Sequence, residues 1–104
     1  MILIIDDDAG VRSSLSFLLK HAGFQVEVAD GPKAAIACVR EQSPDLILMD
    51  MNFSMTTTGE EGLQLLRQVK ALCPDLPVIL MTAWGSIALA VKGMQLGAFD
   101  FVTK

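Results

Sequence analysis

The residues able to do chemistry stand at the ends of apolar runs. Asp6-Asp7-Asp8 follows Ile2-Leu3-Ile4-Ile5, Asp50 follows Leu46-Ile47-Leu48-Met49, Thr82 follows Val78-Ile79-Leu80-Met81, and Lys104 follows Phe101-Val102-Thr103. Carboxylates gathered from separate segments repel one another. At about 4 Å and an effective dielectric near 20, each like-charged pair costs roughly 4 kcal/mol. A divalent cation would offset that cost. Oxygen donors without clustered Cys or His suit a hard ion, and beside phosphate the expected ion is Mg2+. Lys104 would add a point charge for a phosphate oxygen, and Thr82 a hydroxyl donor. Such a set suits transfer of a phosphoryl group to Asp50, where the protein supplies mainly positioning and charge neutralisation. Singly, each residue has a structural explanation: an Asp after a strand commonly caps a helix, as Asp8 is expected to, a Thr can end a strand, and a terminal Lys is usually solvated. The joint pattern carries the functional reading.

These groups need elements to position them. Residues 2–6 read as an apolar strand. Val11, Leu15, Leu18 and Ala22 then recur at helical spacing, and Gly23 sits where a left-handed C-terminal cap belongs. Residues 25–29 alternate polar and apolar. Asp30 is placed as an N-cap and Pro32 in the first turn of a second helix with the stripe Ala35, Ile36 and Val39, closed by Pro44. A strand over 46–50 follows. Leu63, Leu66 and Val69, with Leu65 and Leu72, mark a third helix opened by Thr58 and Glu61 at capping-box spacing. Beyond Pro74 and Pro77 come a strand over 78–82, a helix capped by Ser86 and carrying Ile87, Ala90, Val91 and Met94, and a strand over 99–103 after Gly97.

Strands alternating with helices predict the α/β class, a parallel sheet joined by crossovers with helices on both faces. The first, third and fourth strands are apolar throughout, as strands buried on both faces are; the second and fifth alternate, as edge strands do. The result is a doubly wound five-stranded parallel sheet of order 2-1-3-4-5. Its ligands belong beyond the carboxyl ends of the strands, at the switch point between strands 1 and 3. Asp6 and Asp50 end those two strands.

Composition narrows the classes. A chain of 104 residues is one domain, and its 52% hydrophobic content suffices for a core. The net charge of −4 argues against direct nucleic-acid binding. No apolar run approaches the ~18 residues of a membrane span. The first run stops at Asp6 and lacks a basic start, so it is no signal peptide, and the cytoplasm is the expected location. Cys38 and Cys73 are too few and too far apart for a disulfide framework or a zinc site.

Ile4-Ile5-Asp6-Asp7-Asp8, Pro44-Asp45-Leu46-Ile47-Leu48-Met49-Asp50, Met81-Thr82-Ala83 and Gly97-Ala98-Phe99-Asp100-Phe101-Val102-Thr103-Lys104, in this order, closely resemble the receiver domains of bacterial two-component response regulators. The resemblance spans essentially the whole chain and implies a flavodoxin-like receiver fold. It implies a signalling domain rather than an enzyme. Asp50 would accept a phosphoryl group from a sensor histidine kinase, with Thr82 and Lys104 gripping the phosphoryl oxygens. Asp7 would bind Mg2+ directly and Asp6 largely through water, with Asp50 and the backbone carbonyl of Asn52 further ligands. Phe101 would be the aromatic switch that turns inward as Thr82 moves, altering the face formed by the fourth helix and fifth strand. Trp84, two residues past Thr82, would overhang the pocket mouth and shield the phosphoryl group from water. Residues 81–87 and the final segment look most like regulators of the nitrogen-regulator, enhancer-binding type, in which the receiver governs an attached ATPase and a DNA-binding domain that control transcription.

Departures from the family are also visible. The loop after Asp50 is longer and lacks proline, Thr103 replaces a proline or small apolar residue, and the chain ends before the usual proline and fifth helix. Residues 1–104 are therefore expected to be a C-terminally truncated receiver without its output domains. The uncovered apolar surface would invite a homodimer or disorder. A degenerate receiver that binds partners unphosphorylated remains an alternative, kept open by the altered loop. A flavodoxin-type electron carrier would need a hydroxyl-rich phosphate loop where this chain has aspartates. An aspartyl-phosphate hydrolase would show a second Asp two residues after the first, where this chain has Asn52.

Overall fold

The computed structural model describes residues 1–51, 60–82 and 87–103. Strands and helices alternate as β1 (Ile2–Ile5), α1 (Ala9–His21), β2 (Val26–Ala29), α2 (Pro32–Gln42), β3 (Leu46–Asp50), α3 (Glu60–Leu72), β4 (Val78–Thr82), α4 (Ile87–Gln95) and β5 (Asp100–Thr103). The strands form one sheet of order β2-β1-β3-β4-β5, with every neighbouring pair parallel. The expected class, strand order and edge strands are all present. β1 is buried throughout, whereas the edge strands β2 and β5 are largely exposed.

Register sets the rim. Ile5 pairs with both Ala29 and Met49, Asp50 pairs with Met81, and Thr82 pairs with Thr103. Asp6, one step past Ile5, therefore comes level with Asp50. The main core lies on one face of the sheet. There Leu3 and Ile5 of β1, Ile47 and Met49 of β3, and Val78 and Leu80 of β4 pack with Ala35, Val39, Leu66 and Val69 from α2 and α3.

Local expectations are corrected in α1 and α2. Asp30 does not cap α2. Gly31 occupies the N-cap with extended backbone and no side-chain bond, and Pro32 takes the first helical position, where its missing N–H costs nothing. In α1 the inward stripe is Val11, Arg12, Leu15, Ser16 and Leu19, all half-buried, whereas Leu18 and Ala22 are exposed. From Leu15 the sheet-facing step is i+4 to Leu19, not i+3 to Leu18; both spacings are helical, and only packing separates them. Gly23 adopts φ +100° just past the helix, as a left-handed cap requires. The Thr58 and Ser86 caps lie outside the described residues.

Candidate phosphoacceptor and metal site

The acidic turn is built by local hydrogen bonds. The Asp6 N–H donates to the Ala29 carbonyl at 3.1 Å, extending the β1–β2 ladder one residue past the strand. Asp6 Oδ1 accepts the Asp8 N–H at 2.9 Å. Asp8 Oδ1 accepts the N–H groups of Gly10 at 2.8 Å and Val11 at 3.3 Å, capping α1 as expected. Asp7 is left at the tip of the turn, exposed, between two anchored aspartates. The side chain of Arg12, which carries no motif signal in the sequence, donates from Nη1 to the Asp6 carbonyl at 2.8 Å.

Asp50 arrives from β3. The Met51 N–H bonds to the Met81 carbonyl at 3.0 Å, so β3 stays paired with β4 beyond the acidic residue. One carboxylate oxygen from each of Asp6, Asp7 and Asp50 lies within 4.8 Å of the others, with Asp6 and Asp50 buried and Asp7 exposed. This is an all-oxygen donor set, open to solvent on Asp7's side. Buried carboxylates side by side are costly unless their charge is compensated. The set fits a hard divalent cation, which a single ion at this spacing could bridge.

Thr82 ends β4 and is buried. Its hydroxyl donates to the Val102 carbonyl of β5 at 3.5 Å, the long limit for such a bond. The hydroxyl can therefore be re-aimed at small cost. Phe101 of β5 is half-buried against the main core, and its N–H donates to Asp100 Oδ1 at 2.8 Å. The structure thus brings together Asp6, Asp7 and Asp50 and sets Thr82 on the adjoining strand end. Asn52, Trp84 and Lys104 lie outside the described residues. Among the described residues no helix is long and apolar enough to cross a membrane.

A parallel sheet of this order, with carboxylates converging at its switch point and a buried hydroxyl one strand away, defines a doubly wound α/β domain with an acidic rim that could hold a cation. The response regulator receiver domain model matches residues 2–104, and the chain belongs to that family. It is 39% identical over 103 residues to the transcriptional regulatory protein FixJ of Bradyrhizobium diazoefficiens, covering 99% of this chain and 48% of that protein. It is 37% identical to the transcriptional regulatory protein ZraR of Escherichia coli, covering 99% of this chain and 22% of that protein. The chain therefore spans about half or less of the length of these relatives. The receiver domain of NtrX from Brucella abortus superposes with a TM-score of 0.92 at 30% identity, covering 100% of this chain and 85% of that one.

Proposed function

We propose that this receiver takes a phosphoryl group from a sensor histidine kinase onto Asp50. The observation that carries the reading is the convergence of Asp6, Asp7 and Asp50 within 4.8 Å. A carboxylate oxygen of Asp50 attacks phosphorus, the bond to the donor's imidazole nitrogen breaks, and the imidazole leaves with the electron pair. Asp7 would hold Mg2+ directly and Asp6 largely through water, with Asp50 and the Asn52 carbonyl as the further protein ligands. When bound, the ion would supply charge neutralisation for phosphoryl transfer. Thr82 and Lys104 bind those oxygens, and Trp84 shields the pocket mouth.

In this reading Thr82 gives up its bond to Val102 for the phosphoryl group, and Phe101 turns inward into the space vacated. The face formed by α4 and β5 then reports phosphorylation to a partner, a second copy or an attached output. Residues 1–104 act as the receiver unit of a longer cytoplasmic regulator of transcription, of the enhancer-binding type with an ATPase and a DNA-binding domain. The unit is a signalling module, not an enzyme acting on a separate substrate.

The test is mass spectrometry after incubation with acetyl phosphate and Mg2+. Wild type should gain one phosphoryl mass, and Asp50→Asn none. Equal labelling of both proteins would refute the assignment of Asp50.

A further inference from the structure

Arg12 closes the first turn of α1: its backbone N–H donates to the Asp8 carbonyl at 3.0 Å. Its guanidinium reaches back to the Asp6 carbonyl at 2.8 Å. That carbonyl belongs to the peptide joining Asp6 to Asp7. The peptide group is planar, so holding its oxygen also holds the Asp7 N–H and the direction in which Asp7 leaves the strand. The Asp6 N–H is tied to Ala29 and Asp6 Oδ1 to the Asp8 N–H. Arg12 secures the side of the turn that these bonds do not reach.

Helix stability does not explain a cation at this position. The N-terminal turn carries partial positive charge, which disfavours Arg there, and the Asp8 carboxylate at the N-cap is already engaged by the Gly10 and Val11 N–H groups. What the position provides is reach. A guanidinium presents donors on a long stem, and this one spans from the helix to the end of β1.

We propose that Arg12 is a positioning residue for the metal-binding turn. It fixes the Asp6–Asp7 peptide so that the Asp7 carboxylate is aimed beside those of Asp6 and Asp50 before the cation arrives. The inference rests on the proposed Mg2+ site. Groups that orient ligands from behind commonly set metal affinity in this way.

The experiment is Mg2+ titration of the isotope-labelled intact chain by NMR, with Arg12→Met and Arg12→Lys as variants. Arg12→Met should move the Asp6 carbonyl 13C resonance upfield and weaken Mg2+ binding about ten-fold, while Arg12→Lys, which keeps a charged donor, should recover part of that loss. A merely structural role would lower the melting temperature and leave the affinity of the folded protein unchanged. Wild type that takes no Mg2+ overturns both this inference and the proposed function. Wild type that binds while Arg12→Met binds as tightly overturns this inference alone. If Arg12→Met does not fold, the wild-type guanidinium protons decide: slow exchange with water supports the anchor, and free exchange overturns it.

Discussion

The two faces of the sheet are packed differently. On the face covered by α2, α3 and α4, Leu3, Ile5, Ile47, Met49, Leu66 and Leu80 have essentially no solvent exposure. On the other, α1 contributes no fully buried residue. Phe17 is 70% exposed, Leu18 62% and Val102 49%. A groove runs there between helix and sheet, lined by Val11, Leu15, Met81, Val102 and Thr103. Each fully buried Leu or Ile contributes about 1.5–3 kcal/mol, so the closed face supplies most of the apolar stabilisation. The acidic rim draws on both: Asp50 ends a strand clamped by the closed face, while Asp6 to Asp8 lead into the helix of the open one. The acidic rim therefore joins residues carried by the elements of both faces.

The largest effects should follow burial, from the core of the closed face to the outer side of α1. Leu66→Ala should destabilise by about 2–5 kcal/mol, because the surrounding core relaxes only partly around the cavity. Leu18→Gln on the open face should change stability by less than about 0.5 kcal/mol. Chemical denaturation of both variants checks the contrast, and comparable losses would break it.

A closer contact ties the closed face to the site. A Cβ on Gly62 of α3 would lie 2.8 Å from the Met51 carbonyl oxygen and 3.1 Å from its Cα. These are backbone atoms next to Asp50 and cannot swing aside as a side-chain end can. Gly62→Ala should cost about 1–3 kcal/mol, as overpacking does, and should also weaken Mg2+ binding by displacing the end of β3. A melt combined with a Mg2+ titration measures both.

Charge relief should be smaller and opposite in sign. Asp6→Asn keeps an oxygen to accept the Asp8 N–H but removes one of the converged charges. It should stabilise the metal-free protein by about 1 kcal/mol, below the roughly 4 kcal/mol of a pair at 4 Å because the exposed side of the pocket is screened. Mg2+ should raise the melting temperature of wild type by mass action and that of the variant less. Identical metal-free melts would argue against like-charge repulsion across the rim.

The fold was legible because burial on both faces leaves apolar strands and burial on one leaves alternation; β1, β3 and β4 against β2 and β5 follow from that rule. The acidic cluster was legible because strand ends in this topology converge, so Asp6 and Asp50 could be placed together from strand order alone. Leu19 was not, since i+3 and i+4 spacings are equally helical and only the docking angle of α1 separates them. The cap of α2 was misread because Asp30 has the better capping chemistry, yet Pro32 starts the helix one residue later. Arg12 was illegible for a different reason: a bond to a backbone carbonyl leaves no partner residue in the sequence to signal it.

The smallest expected effect lies on the closed face. Cys38 sits in α2, partly packed against the core, and its pKa is raised first by burial and then by the nearby charges of Glu27 and Glu41. The thiolate is the nucleophile, so a raised pKa keeps the native thiol protonated and slow to react. Alkylation of Cys38 in a Cys73→Ser background, followed by mass spectrometry, should be slower in the folded protein than in urea. Glu27→Gln and Glu41→Gln should each speed it modestly, and both together should still leave it slower than the unfolded chain, because burial is the larger cause. The sign extends to stability: a thiol whose folded pKa is raised favours the native state below its unfolded pKa and loses that contribution as pH rises through the folded value. A native rate equal to the denatured one would show that α2 does not shield the thiol, and that the closed face is looser at its α2 margin than the buried strands beneath it.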